Sequence, residues 1–260
     1  MARRRQPKGA PGGIGGQYAP DPTGVGTLPA ISPHPRLDRL KTMPATPLAG
    51  IDQARVNPHP TDAPKTGWDP WYMNCQRVVV AAELRARGYD VKAVGFGRHM
   101  VDSRLIDLCD MFHTRDGRRR RFTDPPKTAP QLERAMLRYP VGSRFFVFAK
   151  PKGRRRGGHV WNATVEPGPR ITFHEFQDDV FPDGGCTDVY ENAYTRFEYL
   201  RVDDMVPDDR VLDGEYGDVP VVVPSDSDEW TPDRLDRVRQ RIDIPAFNAR
   251  YREYCARGID

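Results

Sequence analysis

The first 67 residues carry 12 prolines and 9 glycines, and a stretch interrupted so often cannot sustain a strand ladder or a long helical stripe. Apart from a short turn at Arg36 to Lys41 it shows no sustained periodicity, so it reads as a long extended or disordered arm. The arm holds nine Lys/Arg against four Asp/Glu, while the remainder is balanced at 31 against 32. The basic excess therefore belongs to the arm. Such an arm suits contact with nucleic acid or with another acidic surface, although it lacks the aromatic interleaving of a base-stacking platform. An ordered domain is expected to begin near Trp68, where aromatics first cluster.

Beyond that point, apolar residues at 75, 78, 79, 82 and 86 follow the period of a helix with one buried stripe, and Gly88 stands where a C-cap glycine belongs. Cys75 heads this helix. The positive end of the helix dipole favours a thiolate there, which makes Cys75 a candidate nucleophile. A free cysteine is more often a small buried hydrophobe, so a nucleophile needs further support. Gly157-Gly158-His159-Val160-Trp161-Asn162-Ala163 reads as a strand with a histidine at its start. Ile171 to Gln177 reads as its hairpin partner across the turn Glu166-Pro167-Gly168-Pro169. Antiparallel pairing then brings His159 near Glu175 or Gln177. A thiol, an imidazole and a group that orients the imidazole are the components of thiol acyl transfer.

The rest of the chain supplies a frame. Tyr89 to Val94 reads as a short strand, and Arg98 to His113 as a second helix that sets Cys109 and His113 at i and i+4. Two such residues do not make a metal site, and neither a metal nor a cofactor is expected. Ala129 to Tyr139 reads as a helix with Thr128 as N-cap and Pro130 in its first turn. Ser143 to Ala149 reads as a buried strand, and Arg196 to Val202 as another. The run Arg154-Arg155-Arg156 just before His159 is either solvated loop charge or a surface for docking an acidic substrate. Residues 203 to 233 hold eleven acidic residues and one Arg, and read mainly as an acidic connector, followed by terminal helices from Thr231 to Gly258.

Four cysteines at irregular positions, 75, 109, 186 and 255, do not form a disulfide framework and favour a reducing compartment. No run reaches the 18 apolar residues of a membrane span. Arg3-Arg4-Arg5 leads into Gly and Pro rather than an apolar segment, so no signal peptide and no membrane partner are expected.

Four blocks carry a resemblance: M-N-C-Q-R-V-V-V-A-A-E-L-R-A-R-G-Y-D-V-K-A, Y-P-V-G-S-R-F-F-V-F, G-G-H-V-W-N-A and I-T-F-H-E-F-Q. Together, over residues 68 to 205, they resemble the papain-fold glutamine deamidase toxin family. The resemblance implies an α+β, papain-like fold in which the helix headed by Cys75 packs on an antiparallel sheet. It further implies Cys75 as nucleophile, His159 as base, and Glu175 with Gln177 as the orienting pair. Glu175 stands where the family has Asp, one methylene longer. Arg5-Gln6-Pro7-Lys8-Gly9 and Gly15-Gly16-Gln17-Tyr18-Ala19 also resemble an N-terminal tag of proteins from actinobacteria and their phages.

The domain reading is thus an arm over 1–67, a papain-like cysteine hydrolase domain over 68–205, and an acidic connector with terminal helices over 206–260. The expected activity is deamidation of a glutamine side chain on a protein substrate. The Cys75 backbone N–H and the Asn74 side chain are the expected oxyanion donors, and Gly158 supports the site. The same machinery could cut peptide bonds, as a cysteine protease. A different class of reading is a phage virion or assembly protein that uses the domain as a scaffold and whose partners order the arm. The expected location is cytoplasmic or virion-associated.

Overall fold

The computed structural model describes residues 35–58, 71, 74–95, 108–123, 126–153, 158–168, 170–177, 192–213 and 220–228. The chain divides into two units, Met1–Pro33 and His34–Asp260, and every described residue lies in the second. In chain order the helices are α1 (Pro35–Asp38), α2 (Gln53–Val56), α3 (Cys75–Ala86), α4 (Ala129–Met136) and α5 (Arg210–Asp213). The strands are β1 (Val91–Ala93), β2 (Phe112–His113), β3 (Arg144–Pro151), β4 (His159–Glu166), β5 (Arg170–His174), β6 (Tyr194–Arg201), β7 (Val206–Pro207) and β8 (Val222–Pro224). The class is α+β, and all strand pairings are antiparallel.

The main sheet has the order β5-β4-β3-β6. β4 and β5 form the expected hairpin, with Gly168 at φ 81° supplying the left-handed turn residue that an L side chain would resist. Side chains on a strand alternate between faces, and the two faces here fill two cores. Phe146, Val160 and Leu200 pack with α3 in one core. Phe145, Val147, Trp161, Ala163 and Phe173 pack with Leu132 and Met136 of α4 in the other. α4 begins as expected, its Thr128 backbone N–H donating to Gln131 Oε1 at 3.0 Å.

α3 differs from the expected helix with a single buried stripe. Every residue from Arg77 to Ala86 is buried, because the helix packs on the sheet and is covered on its other faces as well. Part of the enclosure comes from residues 35–58, so this part of the expected arm shares a core with α3. Leu37, Leu48 and Val56 are buried in the same core as α3. Met43 N–H donates to Gly88 O at 2.9 Å, and Thr46 N–H to Ala86 O at 3.1 Å. The prolines of this segment bound short helical turns, each presenting one apolar side chain. No periodicity is needed for that. The expected tag and the rest of residues 1–34 lie outside the described residues.

Enclosure forces the charged residues of α3 to find partners, since an unpaired buried charge is costly. Glu83 is fully buried and accepts from Arg87 at 2.7 Å and from Arg144 of β3 at 2.8 and 2.9 Å. Arg87 also donates to Met205 O and Val202 O, at 2.6 and 2.5 Å. Arg85 donates to Asp90, Val91 O and Ser225. These bonds fix the axial position of α3, and with it the place of Cys75.

The connector expected over 206–260 is likewise corrected in part. β7 pairs with β2, β8 pairs with β1, and Val211, Val221 and Val222 are buried in the α3 core. Its acids also bind: Asp213 pairs with Arg36 at 2.7 Å, and Asp209 accepts from Leu37 N–H at 3.0 Å. Scattered valines between acidic residues thus make core rather than linker. The helix expected over 98–113 does not reach its end as drawn, since residues 108–110 form a turn and Phe112–His113 a strand. Cys109 and His113 therefore do not share a helix face. The helices expected over 231–258 lie outside the described residues. No described helix is long and apolar enough to cross a membrane.

Gly88 offers a direct test of the packed N-terminal segment. It sits at φ 94°, and a Cβ there would lie 2.3 Å from Met43 O, a backbone atom that cannot swing aside. Gly88→Ala should lower unfolding free energy by roughly 3 kcal/mol, the upper part of the range for a strained residue, as read by chemical denaturation.

Candidate active site

Three elements converge on one imidazole. α3 begins at Cys75, so the thiol stands in the first helical turn, where backbone N–H groups have no intrahelical acceptor. β4 begins at His159, and β5 ends at His174, one residue before Glu175. His159 Nε2 lies 2.5 Å from Glu175 Oε2, and the Cys75 thiol is near enough to raise the pKa of the same ring. The thiol is half-buried, and the Glu175 side chain is 2% exposed.

The electrostatics favour an imidazolium. Burial alone would hold the ring neutral. The Glu175 carboxylate, then the hydrogen bond with Cys75, outweigh that cost, and the His159 pKa is pushed up to about 10. His159 is thus protonated at neutral pH, with both a carboxylate and a thiol acting on it. This is the charge arrangement that a thiolate–imidazolium pair requires.

The structure separates Glu175 from Gln177, which the sequence left together as the orienting pair. Asn162 pairs with His174, so extending the ladder by three residues would set His159 opposite Gln177. The ladder stops at His174, however, and the chain turns. Glu175 then reaches His159 with Oε2 and accepts the Gln177 backbone N–H with Oε1 at 2.9 Å. One carboxylate both orients the ring and holds the turn that aims it. The Gln177 side chain points elsewhere, donating to Asn74 Oδ1 at 3.3 Å and to Trp71 O at 3.4 Å.

Asn74 is also reassigned. It is 1% exposed, and its Nδ2 donates to Asn57 Oδ1 at 2.9 Å and to Val94 O at 3.2 Å. Both amide hydrogens are engaged, so the side chain does not serve as an oxyanion donor. Of the two expected donors, that leaves the Cys75 backbone N–H as the candidate. Gly158 stands beside His159 as expected, and its lack of a side chain matters: a Cβ would lie 2.1 Å from Phe148 Cε2. Gly158→Ala should displace either the Phe148 ring or the start of β4. We expect roughly tenfold lower turnover with about 1–3 kcal/mol lost in stability, read from paired kinetics and denaturation curves. Arg154, Arg155 and Arg156 lie outside the described residues.

Two aromatic residues at the site escaped the sequence reading. Tyr194 stacks on the His159 ring with centroids 5.9 Å apart, and Trp161 lies 5.6 Å away. Trp161 was findable, because residues two apart on a strand share a face. Tyr194 was not. The β3–β6 register slips between Phe148 and Lys150, and Arg196 takes φ 56°, so that Tyr194 pairs with Pro151. Bulges of this kind re-aim side chains beside sites, and nothing in composition marks them. Among the described residues no group of three or more His, Cys, Asp or Glu could hold a metal ion.

Comparison with protein-family models, with curated proteins and with solved structures found no match.

Proposed function

We propose that this chain is a thiol-dependent amidohydrolase, with Cys75 as nucleophile, His159 as general acid and base, and Glu175 as the group that orients and charges the imidazole. The observation that carries this reading is His159 Nε2 2.5 Å from the Glu175 carboxylate, with the Cys75 thiol at the head of α3 near enough to raise the pKa of the same ring. A papain-like arrangement fits as well, with the nucleophile heading a helix that packs on an antiparallel sheet. The substrate proposed is a glutamine side chain of a protein.

The Cys75 thiolate attacks the carboxamide carbon, and a C–S bond forms as the carbonyl oxygen takes negative charge beside the Cys75 N–H. The imidazolium of His159 gives its proton to the departing nitrogen, the C–N bond breaks, and ammonia leaves. The neutral imidazole then takes a proton from water, whose oxygen attacks the thioester and releases a carboxylic acid with the thiolate restored. The acid gives its remaining proton to solvent and ammonia takes one up, so carboxamide and water become carboxylate and ammonium. Glu175 keeps the ring aimed in both half-reactions.

Intact-mass measurement of candidate proteins incubated with the chain tests this. A gain of about one dalton per glutamine, accompanied by ammonia and absent with Cys75→Ala, is the expected result, because the amide leaving group is ammonia. Fragments in place of the mass gain would make the enzyme a protease on the same residues.

A further inference from the structure

The Glu175 turn leaves the sheet at His174, so its position against α3 must be set by something other than strand pairing. Two buried amides span that gap: Gln177 donates directly to Asn74 Oδ1, and Asn57 bonds both sides. Asn57, 4% exposed, donates from Nδ2 to Trp71 O at 3.2 Å and to Gln177 O at 3.3 Å, and its Oδ1 accepts from Asn74 Nδ2 at 2.9 Å. Asn74 directly precedes the nucleophile. Gln177 donates its backbone N–H to the carboxylate that holds His159.

We propose that Asn57 is a positioning residue of the Cys75–His159–Glu175 site, locking the head of α3 to the turn that carries Glu175. The inference rests on the hydrolase reading and extends the site into the N-terminal segment. Continuous hydrogen bonds run from Asn57 through Asn74 to the residue beside the thiol, and from Asn57 through Gln177 and Glu175 to the imidazole. Two donors and one acceptor on one short side chain are what this position uses, and only an amide of this length supplies them. Asn57 is itself anchored, since it caps α2 with its backbone N–H donating to Gln53 O at 2.9 Å. A buried polar cluster satisfied at every member is rigid. Losing Asn57 takes one bond each from Asn74 Nδ2, Trp71 O and Gln177 O, which frees the turn to shift.

The test uses the full chain and no substrate. The rate of Cys75 alkylation by iodoacetamide at neutral pH is read by peptide mass spectrometry, and the His159 titration by NMR. Asn57→Ala should slow alkylation about tenfold or more, and should bring the His159 pKa down from about 10 toward its ordinary value. Asn57→Asp keeps the volume and the acceptor but loses both donors. It should move both readouts in the same direction, and it carries the test if the alanine variant does not fold. Leu48→Ala is the structural control, a buried residue of the same segment outside the amide cluster. It should lose stability with both readouts unchanged. The inference is overturned if both Asn57 variants react and titrate as wild type, or if Leu48→Ala at equal stability moves the readouts as far. His159→Ala separates the two levels of argument. If it slows alkylation while the Asn57 variants do not, only the positioning role fails; if it leaves alkylation unchanged, the hydrolase reading fails with it.

Discussion

Cys75→Ala should abolish carboxamide hydrolysis, a loss on the order of 10⁶ in turnover, as for removal of a nucleophile from a unit whose members act together. The fold should survive, because the half-buried thiol contributes little core volume and α3 is held by the Glu83, Arg87 and Arg144 bonds at its far end. Circular dichroism and denaturation curves close to wild type are therefore expected beside a dead enzyme. A variant that retained a substantial part of the rate would remove Cys75 from the chemistry, whatever the geometry around it.

The second large effect belongs to Glu175. Glu175→Gln keeps the size of the side chain and removes the charge, so the ring loses the group that raises its pKa and fixes its tautomer. Turnover should fall by roughly 10²–10⁴. Gln177→Ala should cost less, about tenfold, since it touches Asn74 and Trp71 rather than the ring. The pH profile should move too. In the wild type the alkaline limb of activity follows loss of the His159 proton near the folded pKa of about 10, and in Glu175→Gln it should shift toward the ordinary histidine range. Stability is linked to the same group. A histidine pKa raised on folding from 6.5 to about 10 stabilises fully below the lower value, and that contribution is lost as pH climbs through the upper one. Wild type should therefore weaken between these limits, and Glu175→Gln should show a flatter profile.

Where regular elements carry the site, they were legible from residue pattern. Valines and alanines at helical spacing, closed by Gly88, mark α3 and place Cys75 at its head; Gly168 in its turn marks the β4–β5 hairpin and places His159 opposite the right segment. The misses share a physical cause. Leu37, Leu48 and Val56 are single apolar residues between prolines, and Val211 and Val222 lie among acids, so each segment looks like linker until the enclosed α3 core is seen to need them. Similarly, the choice between Glu175 and Gln177 depended on where the β5 ladder ends, and a register extended from the hairpin turn cannot show that. Asn57 sits in a proline-rich stretch, and only the buried bonds to Asn74, Trp71 and Gln177 reveal it.

A protonated His159 imidazole, bound to the Glu175 carboxylate near the Cys75 thiol, is the centre of the mechanism, and an NMR titration of His159 in the whole 260-residue chain tests it most directly. The account predicts a pKa of about 10 in the wild type, falling toward 6.5 in Glu175→Gln. A His159 that titrates near 6.5 in both proteins would contradict it.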